Sequence, residues 1–313
     1  MSNQDSYHKE PIKGRVAIFG GTGQIGSSVA AKLALQGYRV TIISRSIRRV
    51  KALSAPGIDH LKINSFDEKD IRSAIKDVDI VINSIGILNE KRHPTQSFEY
   101  AHIQLVQSLS NVICELKIKH FIHLSALKAS ASHAPSRYLK SKGIAENLIK
   151  KICSNKVNFT IIQPSLVFSK HAPSIKLFSK MTRLLPGIIP LARASTQFAP
   201  IHLSDLTHLI TLLIDNPKSF GRTLQAYGDE IHSLKEIIKL IASAHQKHPF
   251  IVPLPYYIGW LQAFILNYLI PGKLMTLDNF KSLAIRSIGE QNALTEFEIK
   301  PVSFLNWCTY SLR

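Results

Sequence analysis

The chain has 313 residues, 45% of them apolar and 19% charged, enough to bury a sizeable core and too apolar for a disordered chain. Its 39 Lys and Arg exceed its 21 Asp and Glu, giving a net charge of +18 that attracts anions. The cations are spread along the chain without zinc-knuckle spacing or an aromatic ribonucleoprotein signature, so no nucleic-acid partner is expected.

Residues 1–13 read as a polar tail without the apolar stretch of a secretory signal. Residues 15–19 (Arg-Val-Ala-Ile-Phe) predict a short buried strand, followed by a glycine cluster and a helix with Ile25, Val29 and Leu33 on one face. Further apolar runs at 39–43, 60–63, 79–83, 121–124 and 159–162 predict five more strands. Between them the periodicity predicts helices over 67–76, 95–116 and 136–152. Fully apolar strands alternating with helices imply an α/β fold with a doubly wound parallel sheet covered on both faces.

After Pro164 the pattern changes. Residues 173–200 are proline-rich and less regular, and helices are predicted from Ser204 and from Ser233, which forms a capping box with Glu236. The expected division is a dinucleotide-binding domain over 14–165 and a mixed region over 166–313. Residues 196–228 of that region would return to the sheet, and the rest would form a smaller, mostly helical C-terminal lobe on the substrate side. The longest apolar region, 256–270, contains Gln262 and Asn267 and is short of a membrane span. It is expected to be a buried helix of the small lobe, with a peripheral membrane or partner contact as the alternative. Cys114, Cys153 and Cys308 match neither a disulfide framework nor a metal site, which fits a cytoplasmic, reducing setting.

The turn Gly20-Gly21-Thr22-Gly23-Gln24-Ile25-Gly26 lies between a predicted strand and helix, with Gly20, Gly23 and Gly26 three apart. A backbone that turns tightly and approaches a pyrophosphate has no room for a Cβ, and a helix N-terminus offers amides and a positive dipole end to phosphate. The order strand, glycine turn, helix makes this a dinucleotide motif rather than a P-loop. At the end of the second strand no carboxylate is available for a ribose hydroxyl. Ser44-Arg45-Ser46 stands there, with Arg48 and Arg49 behind it. Guanidinium groups suit a 2′-phosphate, so NADP(H) is expected over NAD(H).

Tyr138 and Lys142 form Y-x-x-x-K, one helical turn apart on one face. An ammonium beside a phenol lowers the phenol pKa, and the tyrosine can then exchange a proton while hydride moves. Ser125 ends the fifth predicted strand, at the edge of the sheet where ligands bind.

With Gly20–Gly26, Asn-Ser-Ile-Gly at 83–86, Ser125, Tyr138 and Lys142, the chain resembles the extended or atypical short-chain dehydrogenase/reductases of the NAD-dependent epimerase/dehydratase superfamily. Within them it is similar to relatives of the nucleotide-binding alpha-subcomplex accessory subunit of mitochondrial complex I. That likeness rests on Phe-Ile-His-Leu-Ser-Ala-Leu at 121–127, Phe-Thr-Ile-Ile-Gln-Pro-Ser at 159–165 and Gln-Phe-Ala-Pro-Ile-His-Leu-Ser-Asp-Leu at 197–206. The resemblance implies a Rossmann-type fold and a bound nicotinamide nucleotide. Tyr138 would be the acid/base, Lys142 would bind ribose and tune Tyr138, and Ser125 would orient substrate. Gly20, Thr22, Gly23, Gln24, Ile25, Gly26, Arg45, Asn83, Gly86 and Pro164 would contact the nucleotide. Three positions depart from relatives: Gln163 replaces an arginine before Pro164, Ser169 replaces a glycine, and Ser65 replaces an aspartate near the adenine, with Asp67 close by.

The expected activity is that of an oxidoreductase on a carbonyl/hydroxyl pair, with a small carbonyl or quinone-like substrate. The alternatives are a nucleotide-holding accessory or assembly protein of complex I or ubiquinone biosynthesis, placed peripherally at the inner face of a membrane, and, more weakly, a nucleotide-sugar epimerase or dehydratase. His120, His123, His202 and His208 lack metal-site spacing and read as packed or surface residues; no metal is expected.

Overall fold

In the computed structural model, which describes residues 12–45, 55–185, 187–268 and 275–312, the apolar runs become parallel strands. These are β1 (Arg15–Phe19), β2 (Arg39–Ser44), β3 (Ile58–Lys62), β4 (Ile80–Asn83), β5 (His120–Leu124) and β6 (Asn158–Pro164). Crossover helices α1 (Gln24–Leu35), α2 (Glu68–Ile75), α3 (Leu105–Glu115) and α4 (Arg137–Cys153) join them, except that β2 runs on to β3 without a described helix between.

Beyond β6 come β7 (Val167–Phe168), α5 (Pro173–Leu184), β8 (Ile188–Ala192), β9 (Gln197–Phe198), β10 (Ile201–His202) and α6 (Leu203–Leu213). Then follow β11 (Arg222–Ala226), β12 (His232–Ser233), α7 (Leu234–Ala244), β13 (Phe250–Leu254), α8 (Tyr256–Tyr268), α9 (Leu277–Ser282), α10 (Ala293–Glu296) and α11 (Phe304–Tyr310). Strand β11 returns to the main sheet, whose seven strands run in the order β11-β6-β5-β4-β1-β2-β3 and pair in parallel throughout. This is the doubly wound, Rossmann-type arrangement. Its direction of winding reverses between β1 and β4, so a crevice opens at the carboxyl ends of those two strands.

Alternation along β1 feeds two cores. Val16 and Ile18 pack with Val29 and Leu33 of α1 and Leu206 and Leu209 of α6. Ala17 and Phe19 face Leu105 and Leu109 of α3 and Ile149 of α4. The smaller clusters lie beyond β6, where Phe168, Ile237, Phe304 and Trp307 form one and Ile189, Leu191, Ile238 and Ile251 another. The predicted capping box is present: Glu236 N donates to Ser233 Oγ at 3.2 Å and Ser233 N to Glu236 Oε2 at 2.7 Å.

Four readings change. The helix expected over 95–116 is interrupted: a short 3₁₀ turn at Pro94–Gln96 and a π-helical turn at Glu99–Gln104 precede α3. The proline-rich stretch is more regular than expected, because Pro173 sits in the first turn of α5, where a missing N–H costs nothing. Of residues 196–228, expected to return to the sheet, only Arg222–Ala226 joins it, pairing with β6 and burying only Leu224 and Ala226. Helix α8 is not a buried helix: within it only Gly259 and Ala263 are buried. No described helix is long and apolar enough to cross a membrane.

Candidate functional site

The glycine turn closes on itself at the carboxyl end of β1. Gly20 adopts φ +80°, and Gly23 N donates to Gly20 O at 2.9 Å. A Cβ on Gly26 would lie 2.5 Å from Gly20 O and 2.6 Å from Ser84 Oγ, and one on Gly20 would lie 2.8 Å from Ser84 Oγ. Both glycines are therefore fixed by contact between the turn and the loop after β4. Gly23 caps α1 without a side chain, and no acidic residue stands in its first turn, so the dipole end stays uncompensated. Backbone and charge here fit a diphosphate. Thr22 and Gln24 are half-buried, and Ile25 leans on the core. Gln24 Nε2 donates to Ser169 Oγ, so the serine that replaces a glycine reaches the first turn of α1.

Arg45 follows β2 and stacks its guanidinium on two rings, 4.7 Å from the Phe66 centroid and 5.5 Å from that of Tyr100. Ser46, Arg48 and Arg49 lie outside the described residues. Ser65 and Asp67 belong to the start of α2: Asp67 caps it by accepting from Asp70 N, and Ser65 N donates to Asp70 Oδ2 at 2.9 Å. Hydrogen bonds from Ser65 and the Asp70 amide hold the Asp67 carboxyl below its ordinary pKa.

Asn83 is fully buried. Its Oδ1 accepts from Ile85 N at 3.1 Å, and its Nδ2 meets His123 Nδ1 at 3.2 Å. The amide thus shapes the loop over 83–86. Gly86 follows, and a Cβ there would be 3.3 Å from Lys142 Nζ. Lys142 is buried, and its ammonium donates to Leu124 O at 2.9 Å and Ile85 O at 3.4 Å. Burial pushes its pKa down to about 8, opposed by Glu146 four residues on. Burial likewise pushes Tyr138 up to about 12. Burial thus moves the phenol in the direction opposite to the lowering expected from the Y-x-x-x-K spacing.

Ser125 is buried just past β5, and its hydroxyl donates to Glu146 Oε1. The same oxygen accepts from Gln163 Nε2 at 2.8 Å, so the glutamine that replaces an arginine closes this network. Burial raises the Glu146 pKa against those hydrogen bonds. Pro164 ends β6, and its carbonyl accepts from Leu127 N at 3.0 Å.

Several residues here were not read from the sequence. His102 lies on the π-helical turn, accepts at Nε2 from Ile87 N at 3.0 Å and pairs at Nδ1 with Ser141 Oγ at 2.8 Å. Burial pushes its pKa down to about 2, so the ring is neutral with its proton on Nδ1. It stands edge-on to Tyr138 at 5.7 Å. Asp278 of α9 accepts from Arg137 N at 2.8 Å and Tyr138 N at 3.0 Å, capping α4 from the far side of the sequence. Glu146 carried a local signal, the same helix face one turn past Lys142. Ser84 lay within the Asn-Ser-Ile-Gly motif at 83–86 and Asp278 within a stretch shared with relatives around 274–280, neither with a role assigned, and His102 carried no signal.

His120 pairs with Thr160, and His202 caps α6 by accepting from Ser204 N. Among the described residues no cluster of three His, Cys, Asp or Glu could hold a metal ion.

Comparison with known proteins agrees with this geometry. A family model described as NAD(P)H-binding matches residues 20–190, more than half the chain. The chain is 28% identical over 229 residues to the mitochondrial NADH dehydrogenase [ubiquinone] 1 alpha subcomplex subunit 9 of Dictyostelium discoideum, a match covering 72% of this chain and 62% of that protein. It is 22% identical over 304 residues to the mitochondrial NADH-ubiquinone oxidoreductase 40 kDa subunit of Neurospora crassa, covering 95% and 78%. Among solved structures, an NADPH-dependent quinone oxidoreductase of Escherichia coli, complexed with NADPH, superposes with a TM-score of 0.74 at 14% identity, covering 95% of this chain and all of that one. A nucleoside-diphosphate-sugar epimerase of Staphylococcus aureus does so with a TM-score of 0.73 at 15% identity, covering 94% and 99%.

Proposed function

Since the chain belongs to the NAD(P)H-binding family, we propose that it is an NADPH-dependent oxidoreductase of the extended short-chain type, acting on a carbonyl or quinone-like substrate. The observation that carries this reading is convergence. The Gly20–Gly26 turn, Arg45, Gly86, Ser125, and Tyr138 with Lys142 come from five separate stretches of chain that converge on the carboxyl edge of one sheet.

In this reading the amides at the start of α1 take the diphosphate and Thr22 and Gln24 flank it. Arg45, held flat by Phe66 and Tyr100, takes the 2′-phosphate. Asn83 and Gly86 shape the loop beside the ribose, with Pro164 opposite. Lys142, whose ammonium already spans the ends of β4 and β5, turns its remaining donor capacity to the ribose hydroxyls. The nicotinamide, when bound, supplies the hydride. Tyr138, a phenol and therefore protonated at neutral pH, supplies the proton to the reduced oxygen. Ser125 orients that oxygen once its hydroxyl leaves Glu146. The region beyond β6, apart from Arg222–Ala226 in the sheet, is the substrate-side lobe.

A second reading has its own support. The Ser125 hydroxyl is held by Glu146, and the two curated relatives described above are named as subunits of NADH dehydrogenase complexes. A nucleotide-holding subunit of a membrane-associated respiratory assembly would need the cradle without the turnover.

Oxidation of NADPH with a panel of quinones and carbonyls separates the two. Tyr138→Phe is expected to lower turnover at least 100-fold, roughly the contribution of a positioned acid, while leaving NADPH affinity within about threefold. Equal turnover in the variant rejects the role of Tyr138. NADPH retained by the native protein but oxidised by no acceptor favours the subunit.

A further inference from the structure

The turn after β7 reaches back to the glycine turn. Phe168 is fully buried in a core beyond β6, and Ala172 N donates to Ser169 O at 3.0 Å, so Ser169 is fixed from both sides. Its hydroxyl oxygen accepts from His171 N at 3.3 Å and from Nε2 of Gln24, the first residue of α1 and 145 positions earlier. Among the described residues no other polar group meets that oxygen, and none accepts its proton.

A serine hydroxyl carries one proton and two lone pairs. Donors occupy both lone pairs here, so the group is left as a donor only, at the first turn of α1. Neither of the two segments it joins offers a carboxylate to take that proton. Residues 147–204 contain no Asp or Glu, although the chain has 21, and α1 has no acid in its first turn. The acceptor that fits is an anion from outside the chain, because the uncompensated dipole end of α1 lies alongside.

Given the dinucleotide reading of the glycine turn, on which this rests, we infer that Ser169 is a coenzyme-binding residue whose hydroxyl donates to the diphosphate. A phosphate oxygen is an acceptor only, and it completes the one hydrogen bond that the serine has left to make. The strand order says which phosphate it meets. Arg45 follows β2, on one side of β1, whereas β4, β5 and β6 lie on the other, with Lys142, Ser125 and the turn after β7 at their carboxyl ends. With the adenine half running toward Arg45, Ser169 grips the phosphate of the nicotinamide half. The coenzyme then ties the region beyond β6 to the start of α1.

Calorimetric titration of the full chain, together with phosphorus NMR of bound NADPH, tests the role. Ser169→Ala should weaken NADPH and NADH at least about tenfold each and by the same factor, the loss of one hydrogen bond to a charged group that both coenzymes share. In the bound spectrum it should shift one of the two diphosphate resonances and leave the 2′-phosphate resonance in place. Arg45→Glu should do the reverse, moving the 2′-phosphate resonance and weakening NADPH more than NADH. The role is overturned if Ser169→Ala binds both coenzymes within about twofold of native. It is also overturned if that substitution moves all three resonances together, since Ser169 would then only brace the first turn of α1. A native chain that takes up neither coenzyme removes the dinucleotide reading itself, whereas native uptake with an indifferent Ser169→Ala removes only Ser169 from it.

Discussion

Lys142 is a cation kept from water by the strand ends it bridges, and its pKa of about 8 against an ordinary 10.5 has a testable sign. Below pH 8 the folded and unfolded chains both hold this proton, and burial of the charge opposes folding. Between about 8 and 10.5 the unfolded chain binds a proton that the folded one lacks, so stability rises with pH. Denaturant melts should show the native protein gaining up to about 3 kcal/mol relative to Lys142→Met across that window. A constant gap would mean that the ammonium is not desolvated. Arg45 offers a second test at this scale. Its stacking on Phe66 and Tyr100 fixes a planar cation where the sequence offers no carboxylate. Arg45→Glu should weaken NADPH at least tenfold more than NADH in direct titrations, in line with the loss of a charge-assisted pair. Equal losses for both would remove Arg45 from the 2′-phosphate. The spacing of Tyr138 and Lys142 was legible because helical geometry is local. The shifts of their pKa values were not, because burial among residues remote in sequence sets them.

Helix α4 shows how far one element's start depends on another. Ser136 caps it locally by accepting from Leu139 N, and Asp278 adds two acceptors from α9. Asp278→Ala should cost about 1–2 kcal/mol in thermal or denaturant melts, a typical cap, and lower turnover more than NADPH affinity because Tyr138 N is one of the two amides released. Unchanged stability would show that Ser136 suffices. The capping box at Ser233 and Glu236 was legible for the same reason that Asp278 was not: one lies within four residues and the other spans 140. The π-helical turn before α3 carried no local mark in the sequence, since Glu99–Gln104 contains neither glycine nor proline. That turn places Tyr100 beside Arg45 and His102 beside Tyr138, at two ends of the site.

At the scale of the molecule, the doubly wound sheet was readable because its inner strands β1, β4, β5 and β6 are buried on both faces and its helices amphipathic. The bounds of Arg222–Ala226 within the expected 196–228 were not, since an edge strand with half its side chains in partial contact with solvent lacks that signature. The exposure of α8 was hidden too: an uncharged apolar run reads alike whether it faces a core or an interface. The central claim is that the turn between β1 and α1 grips a dinucleotide, and calorimetric titration of the purified chain with NADPH and NADH tests it most directly. The account predicts saturable uptake of one NADPH per chain, tighter than NADH, and its loss in Gly23→Asp, which suits the extended backbone there, brings a Cβ to 3.1 Å from Gly20 O and puts a carboxylate at the start of α1; thermal melts check that the variant folds. Uptake of neither nucleotide by the native chain, or undiminished uptake by that variant, would contradict it.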